Sequence, residues 1–470
     1  MRRSIMRSAI GVVSAVTITL APVADAAAAS LIRDAEIEAT LRAYGDPIFE
    51  AAGLDAASVQ VHIINDKQIN AFVSGGLQMF VHTGLLTAAK SPNEVIGVIA
   101  HETGHIAGGH LARADEAIEN ATIEMIVGTL IGVAAGIVSR RGDVAVAAQQ
   151  AAQMMALRDL MKYSQVQEEA ADQTAYRLLE ATGQSPAGMI SFFKILARQE
   201  ALSTSQQDPY LRSHPLTSSR VDAAEAAVAR SPYAGTTDSP ELMLRHQRTL
   251  AKLNGYLQPS RVMTLYPKTD QSLPARYARA IALYRSSHLE EAVAAMDGLL
   301  AEVPLDPFFL EQKAQILYEN GRVAEALPLY QQALDLAPGE PLIRLELAQA
   351  RVQLVQMTPE GKPVDLPLLD AAITDLKKVA MLEPKNTGVY RLLAIAYGRR
   401  GDMPMAHLFQ AEEWLALGEG KKAKERAEQA LAGLPMGSPG WLRAQDIEFA
   451  ADQRDDDGYE LAEPVTQAAL

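Results

Sequence analysis

Cysteine is absent from this sequence of 470 residues. The absence excludes disulfide bonds, a thiolate nucleophile, cysteine-ligated zinc and lipidation on cysteine. Any metal ion would have to be held by histidine, aspartate and glutamate side chains. Aromatic residues are scarce at 5%, whereas hydrophobic residues make up 48% and charged residues 21%, a composition typical of a globular, helix-rich protein. At this length we expect two or more domains, because one core seldom serves so many residues.

Positive charge is in deficit, since 43 Lys and Arg stand against 57 Asp and Glu, for a formal net charge of -14. Because an acidic surface repels phosphate backbones, we expect no nucleic-acid partner. Long apolar runs are lacking too: the uncharged segment Met125–Val138 is shorter than the ~20 residues that a spanning helix needs. We interpret it as a buried helix or helical pair, with an apolar lid over a cleft or a peripheral contact with a membrane surface as alternatives.

The first 26 residues have the character of an export signal. A basic start with three arginines precedes Ser8–Ala24, which carries no charge, and Ala24-Asp25-Ala26 has the small-x-small form of a cleavage site. We therefore predict a cleaved signal peptide over residues 1–26 and, in a bacterium with an outer membrane, a periplasmic protein. The alternative is an uncleaved membrane anchor, which the shortness of the apolar stretch disfavours.

Periodicity and end signals place the elements of an N-terminal domain. Val59–Asn65 and Leu77–Val81 have the pattern typical of strands. A helix is predicted to start with Ser91 as its N-cap, Pro92 at its first position and Glu94 closing a capping box, and to end at the two glycines that precede His110. Three further helices are predicted, over Leu31–Gly45, Val144–Met161 and Tyr163–Glu180.

The sequence beyond Pro274 repeats with a period of 34 residues. Three pairs of identical residues stand 34 positions apart: Pro304 and Pro338, Tyr284 and Tyr318, and Ala292 and Ala326. Gly321 lies midway between the two prolines. Such a period predicts four to five tetratricopeptide repeats, each of two antiparallel helices, between residues 274 and 436. Met357–Pro367 is the predicted insert, and a generic helical array is the alternative.

The run His101-Glu102-Thr103-Gly104-His105 has the HExxH pattern. Residues i and i+4 share one helix face, so both imidazoles can bind one metal ion. Zinc can activate a water molecule, and Glu102 can take the proton of that water and pass it to the leaving amine. The pattern therefore predicts a zinc-dependent peptidase in which Glu102 is catalytic.

A catalytic zinc ion needs a third protein ligand and one open position. The downstream candidates are His110, Glu168, Glu169 and His214. Glu168 is favoured because it and Asp172 lie four residues apart on one predicted helix face. Glu168 can bind the metal while Asp172 accepts a hydrogen bond from a ligand imidazole. The alternative for such a pair is a solvated acidic face.

The chain resembles the HtpX/BepA family of zinc metalloendopeptidases, and within it the periplasmic BepA (YfgC)-like branch that joins the protease to tetratricopeptide repeats. The resemblance covers roughly residues 35 to 225 and places the family's third metal ligand on Glu168. Where the family often has an acidic residue, this chain has Ala170, with Glu169 beside it. The resemblance is carried by Asn70-Ala71-Phe72, Gly75-Gly76, Phe80-Val81, Gly84-Leu85-Leu86, the HExxH motif, Tyr163-Ser164, Glu168, Ala171-Asp172, His214-Pro215 and Ser219-Arg220.

This resemblance implies a gluzincin-like fold, in which the active-site helix lies beside the edge of a small sheet. Leu77–Val81 would be the edge strand that pairs with substrate, and an ordinary core strand is the alternative. His214 could be a transition-state donor or a fourth ligand that keeps the enzyme latent, and an ordinary loop histidine is the alternative. Arg220 could support an oxyanion or a carboxylate. His110 and His82 are interpreted as structural.

We therefore predict a mainly α fold, with an α+β protease domain that contains a small sheet and the HExxH helix, followed by an all-α repeat solenoid. The predicted boundaries are 1–26 for the signal peptide, 27–250 for the protease, 251–273 for a linker, 274–450 for the repeats and 451–470 for an acidic flexible tail.

The predicted function is that of a periplasmic endopeptidase, with one Zn2+ per chain, that degrades misfolded or stalled envelope proteins. Its substrates would be unfolded or extended polypeptides. By resemblance, its repeats would contact the assembly machinery of outer-membrane proteins and assist assembly. A repeat chaperone or scaffold with a latent protease site is the second interpretation, and a membrane-embedded protease is the third.

Overall fold

The structure is a computed structural model that describes residues 30–75, 77–110, 113, 142–202, 214–357, 364–456 and 467–469. The predicted signal peptide and the apolar segment Met125–Val138 lie outside the described residues. Within the described ranges, no helix is both long enough and apolar enough to cross a membrane.

The N-terminal domain contains one small mixed sheet, with the strand order β3-β4-β2-β1-β5. Strands β2 and β4 are parallel, and β3 is antiparallel to β4 with Phe72 opposite Phe80. The last strand comes from the end of the chain and pairs in parallel with β1. The strands are β1 (Leu31–Arg33), β2 (Gln60–Ile64), β3 (Ala71–Ser74), β4 (Gln78–His82) and β5 (Gln467–Ala469).

The strand predicted to be the substrate-pairing edge is an interior strand. Strand β4 pairs with β2 on one side and with β3 on the other, so both of its backbone edges are already used. The prediction that Leu77–Val81 forms the edge is therefore wrong. Among the described strands, β3 lies at that end of the sheet and packs against the helix that carries HExxH.

Two helix boundaries differ from the predictions for clear local reasons. The Asp34 carboxylate accepts a hydrogen bond from the Ile37 N–H at 2.9 Å, so the first helix begins at Ala35 and the preceding residues are free to form β1. The two helices predicted between residues 144 and 180 are one helix of 40 residues, because no glycine or proline interrupts it. The helices are α1 (Ala35–Ala51), α2 (Thr83–Ala88), α3 (Pro92–Gly108), α4 (Gly142–Ala181), α5 (Ala187–Leu202), α6 (Ser218–Arg230) and α7 (Pro240–Leu257).

Helix α3 runs through the core of the domain and is buried from Glu94 to His105. Its apolar side chains, among them Ile96 and Ile99, share one cluster with residues of α1, the sheet and α5. Ser91 takes the N-cap position but its side chain makes no capping bond, so that half of the predicted box is not formed, and Glu94 accepts from the Lys90 N–H at 2.6 Å. Burying each such aliphatic side chain contributes roughly 1.5–3 kcal/mol, so the helix is firmly held where it carries its polar residues.

The described C-terminal half is an array of five helix–turn–helix pairs. Inside two of these pairs, Gly321 and Gly401 adopt φ values of 78° and 86°, which favour glycine at the tight turn. The predicted insert begins at Met357, and part of it lies outside the described residues. The pairs are α9 (Leu273–Arg285) with α10 (Leu289–Glu302), α11 (Pro307–Glu319) with α12 (Val323–Leu336), α13 (Pro341–Gln356) with α14 (Leu366–Leu382), α15 (Thr387–Arg400) with α16 (Met403–Ala416), and α17 (Gly420–Gly433) with α18 (Pro439–Asp456), preceded by the short α8 (Val262–Leu265). The prediction of a mainly α fold with a small sheet is confirmed.

The residues predicted as a linker, 251–273, are helical and packed over much of their length. Helix α7 continues to Leu257, and its buried Tyr256 shares an apolar cluster with Val262 of α8 and Tyr277 of α9. The first domain therefore passes into the array without an extended connection. The predicted tail also begins inside α18, which continues to Asp456.

A buried ion cluster joins the first domain to the array. Lys252 Nζ on α7 lies 2.7 Å from Asp34 Oδ2 and 3.5 Å from Glu311 Oε2, and Arg248 Nε lies 2.5 Å from Glu36 Oε1. Each of these five residues is 8% exposed or less. Arg248 also pairs with a further carboxylate on the array, so acids outnumber cations in the cluster. Burial raises the pKa of Glu311 to about 7.

Replacement of Glu311 by Gln is expected to stabilise the protein increasingly as the pH rises from about 5 to 8. Folded Glu311 keeps its proton to about pH 7, whereas its ordinary pKa is 4.5. Between these values the folded state binds more protons than the unfolded state, so stability falls as the pH rises. Glutamine does not ionise and escapes this loss. Melting temperatures at several pH values check the trend. The exposed Glu428→Gln is the control, and a pH-independent difference for Glu311→Gln would contradict the account.

Candidate active site

Helices α3 and α4 bring both HExxH histidines and a glutamate together. His101 Nε2 lies 3.1 Å from His105 Nε2 and 3.3 Å from Glu168 Oε2, and His105 Nε2 lies 3.3 Å from Glu168 Oε1. All three residues are 8% exposed or less. The convergence that the sequence predicts for these three residues is present in the structure.

His214, which lies just before α6, reaches the same cluster. Its Nδ1 lies 3.0 Å from Glu168 Oε1 and 3.3 Å from His101 Nε2, and its Nε2 lies 3.6 Å from Glu102 Oε1. One ligand atom from each of His101, His105, Glu168 and His214 lies within 4.8 Å of the other three. His214 therefore stands at the fourth corner of the cluster, within reach of Glu102.

The spacing of these ligand atoms fits a small tetrahedral cation. Zinc binds imidazole nitrogen and carboxylate oxygen at about 2.0–2.2 Å, so the ligand atoms around it lie about 3.3 Å apart. Five separations, taken with one or the other Glu168 oxygen, run from 3.0 to 3.3 Å, and one ligand atom from each of the four residues lies within 4.8 Å of the other three. Three imidazoles also suit zinc and related transition metals better than Mg2+ or Ca2+, which prefer oxygen ligands.

Asp172 and Arg220 support the cluster from behind. The His101 Nδ1–H donates to Asp172 Oδ1 at 2.8 Å, which directs Nε2 towards the cluster. Arg220 donates through Nε to Asp172 Oδ2 at 2.7 Å, and its Nη1 lies 3.0 Å from Glu168 Oε2. The same guanidinium donates to the Pro215 carbonyl at 2.9 Å. Of the two roles expected for Arg220, the structure contains the carboxylate contact, and it also ties the His214 segment to α4.

The surroundings of the Glu102 carboxylate favour the binding of a water or substrate atom. It is fully buried, and neither of its carboxylate oxygens has a hydrogen-bond partner among the described residues. Burial raises its pKa, although the nearby His214 and His101 lower it. Leaving such a group unpaired is costly, so a water or substrate atom in front of it would be strongly favoured.

The charges of the cluster favour a bound cation. Burial alone would lower the pKa of His101, but hydrogen bonds to Asp172 and Glu168 outweigh burial and raise that pKa to about 10. Burial raises the pKa of Glu168, yet its three histidine partners hold it well below its usual range. Both shifts show that the two carboxylates attract positive charge to the point where the imidazoles meet, and a metal ion would satisfy the same field.

Comparison with known proteins agrees with this geometry. Residues 33–228, which include the whole cluster, match the model of peptidase family M48, and residues 277–341 match that of the tetratricopeptide repeat. The chain carries an M48 peptidase domain followed by tetratricopeptide repeats. It is a metalloendopeptidase, as the HExxH pattern predicts, and the predicted repeat type is confirmed.

Curated relatives match this chain over different shares of its length. The beta-barrel assembly-enhancing protease of Yersinia pestis is 27% identical over 425 residues, which cover 88% of this chain and 82% of the relative. The protein of the same name from Escherichia coli K12 is 26% identical, with coverage of 69% and 67%. The metalloprotease LoiP of E. coli K12 is 28% identical over 172 residues, or 36% of this chain and 62% of the relative.

The remaining candidate residues of the M48 domain lie outside the ligand cluster. Glu169 is exposed and accepts a hydrogen bond from Ser219 at 3.3 Å, so it does not face the histidines. His82 lies 3.7 Å from Asp66, away from the cluster. The sequence interpretation makes His110 structural, and the structure places its Nδ1 3.0 Å from His105 Nδ1. The glycine pair before His110 is the sequence signal that the helix ends at this point.

Proposed function

We propose that this protein is a zinc endopeptidase of the periplasm that degrades misfolded or stalled envelope proteins and assists the assembly of outer-membrane proteins. The observation that carries the hydrolytic part is the convergence of His101, His105, Glu168 and His214 beside the Glu102 carboxylate, which has no hydrogen-bond partner among the described residues. The four ligand residues would hold the metal. When bound, zinc would supply the Lewis acidity that activates water and polarises the scissile carbonyl.

The protein's own residues would move the protons of the reaction. Glu102 would take a proton from the attacking water and return it to the amide nitrogen as the bond from carbonyl carbon to nitrogen breaks. Neither oxygen of Glu102 accepts a hydrogen bond from another described residue, so both can accept one from the water. Asp172 would keep the proton of His101 on Nδ1, and Arg220 would hold Asp172 and Glu168 in place.

The choice of zinc is tested by removal and return of the metal. Purified protein should cleave an unfolded outer-membrane β-barrel polypeptide, lose this activity in a chelator and regain it with about one equivalent of Zn2+ per chain. Mg2+ should not restore activity, because the imidazoles favour softer cations. Cleavage that survives complete metal removal would contradict the proposed mechanism.

The envelope part of the proposal draws support from the relatives and from the array. Two of the relatives are named for enhancing β-barrel assembly, and an export signal is predicted at the start of this chain. Tetratricopeptide arrays commonly bind protein segments on their helix surfaces, so the repeats would hold a partner from the outer-membrane assembly machinery or a stalled substrate. Fractionation of cells and cross-linking from the array test the location and the partner separately.

His214 favours a second candidate function, a scaffold whose protease is latent. A catalytic zinc site keeps one position open, whereas His214 Nδ1 stands at the fourth corner, 3.0 Å from Glu168. We propose that His214 closes the site at rest and withdraws when substrate binds. A scaffold in which His214 never withdraws would use the array alone and would show no cleavage.

Replacement of His214 by Ala is expected to raise the cleavage rate of an unfolded substrate severalfold, because three ligands remain and the fourth position opens. Zinc content should stay near one per chain. The rate is measured by peptide release against wild type, with His288→Ala, an exposed histidine of the array, as the control. A fall in kcat of about 10²-fold or more would make His214 a transition-state donor instead and contradict the closed state.

A further inference from the structure

His110 makes a contact with the HExxH motif that neither the motif nor the family assignment accounts for. Its Nδ1 lies 3.0 Å from His105 Nδ1, and the two rings meet edge to face with centroids 4.9 Å apart. His110 is 8% exposed. Two ring nitrogens at this distance form a hydrogen bond only if one donates and the other accepts.

The end of α3 is shaped to fold this ring back onto His105. Helix α3 ends at Gly108, and Gly109 follows in the left-handed region with φ 62°, which interrupts the helix just before His110. A Cβ on Gly108 would lie 2.3, 2.7 and 2.8 Å from three atoms of the His110 ring. Only glycine therefore leaves room for the ring, so the two glycines and the histidine act as one unit.

The contact determines which ring nitrogen of His105 carries the proton. Its Nε2 points to the cluster, 3.1 Å from His101 Nε2, and a metal ligand must offer a lone pair there, so its proton must be on Nδ1. His101 has the same need, which Asp172 meets at 2.8 Å. For His105, His110 stands in the equivalent place.

We propose that His110 is a positioning residue for the metal site, which accepts the Nδ1–H of His105 and so directs the His105 Nε2 lone pair to the metal. The proposal rests on the metal site proposed above. It assigns one hydrogen-bond acceptor to the Nδ1–H of each histidine of the motif. Asp172 supports His101 with a carboxylate, and His110 supports His105 with a neutral ring. Loss of such a supporting residue typically lowers metal affinity about 10–100-fold.

Three substitutions separate this role from packing. His110→Phe keeps the ring and removes the acceptor, so the zinc affinity, measured by chelator competition, should fall about 10–100-fold. His110→Asn places an amide oxygen near the position of Nδ1 and should recover most of the affinity, whereas His110→Gln places its amide near Nε2 and should not. Wild-type affinity in His110→Phe, or equal affinity in all three variants, would overturn the proposal.

A double-mutant cycle with Gly108 gives an independent answer. Gly108→Ala should lower zinc affinity by displacing the His110 ring, although alanine ordinarily favours a helix over glycine. In a His110→Ala background the same change should have little further effect. Additive losses would show that the two residues act separately and would overturn the proposal. Wild-type protein that binds no zinc would refute the proposed function. Variants that all bind zinc as tightly as wild type would refute only the role of His110.

Discussion

Glu102→Gln is expected to abolish nearly all peptide cleavage while leaving the metal site intact. General acid–base catalysis contributes typically 10²–10⁴-fold, and Glu102 would act as both base and acid, so kcat should fall towards the upper end of this range. The substitution keeps the shape of the side chain, and no described residue depends on its oxygens for a hydrogen bond. Zinc content and melting temperature should therefore match those of wild type.

The measurement is a timed digest of an unfolded β-barrel polypeptide, with zinc determined on the same samples. Glu169→Gln is the matched control, because it makes the same change on an exposed residue near the site and should cleave normally. Glu102→Asp, whose carboxylate is one methylene shorter, should fall between the two. A Glu102→Gln variant that cleaves within tenfold of wild type would remove this residue from the mechanism.

The same variant decides between the protease and the scaffold. If hydrolysis is the function, cells that carry only Glu102→Gln should show the envelope defects of a deletion. If the array alone acts, the variant should complement fully although it does not cleave. The retained zinc and fold make this comparison sharper than a deletion of the domain.

The ligand set could be predicted from the sequence because helix geometry is local. His101 and His105 lie one turn apart, and Glu168 and Asp172 repeat this spacing on α4, so each pair shares a face whatever surrounds it. His214 is one of several candidate ligands in the sequence, and only family resemblance suggests roles for it and for Arg220, because a residue on a loop has no period that fixes its direction. The contact of His110 with His105 depends on the positive φ of Gly109. Two consecutive glycines in the sequence permit this φ but do not determine it.

Elements with a clear hydrophobic period could be predicted from the sequence, whereas features that depend on contacts with distant residues could not. The alternation in β4 gave a strand, but its place inside the sheet depends on pairing with β3, a four-residue strand that is too short to stand out. The Asp34 cap sets the start of α1 at Ala35, whereas apolar spacing alone predicts an earlier start at Leu31. Residues 251–273 are predicted to form a linker, whereas Lys252 is buried because Asp34, Glu36 and Glu311 surround its charge.

Glu168→Ala is expected to cost the protein its metal and, with it, its activity. Glu168 is the only carboxylate among the four ligand candidates of the described cluster, and its negative charge offsets much of the cation's charge in a buried site. The loss of zinc affinity should exceed the roughly 10–100-fold that follows loss of a supporting residue. Equilibrium dialysis against buffered zinc, with Glu169→Ala as the adjacent control, measures the change.

Metal-free samples show whether the fold survives this substitution. Arg220 keeps two bonds to Asp172, at 2.7 and 2.9 Å, after Glu168 is removed, so no buried cation is left unpaired and the metal-free variant should still unfold cooperatively. Glu168→Gln, which retains one ligand oxygen without the charge, should bind zinc more tightly than Glu168→Ala but more weakly than wild type. Full zinc occupancy in Glu168→Ala at low free zinc would remove Glu168 from the ligand set, and it would leave His214 as the third ligand and an altogether different open position for substrate.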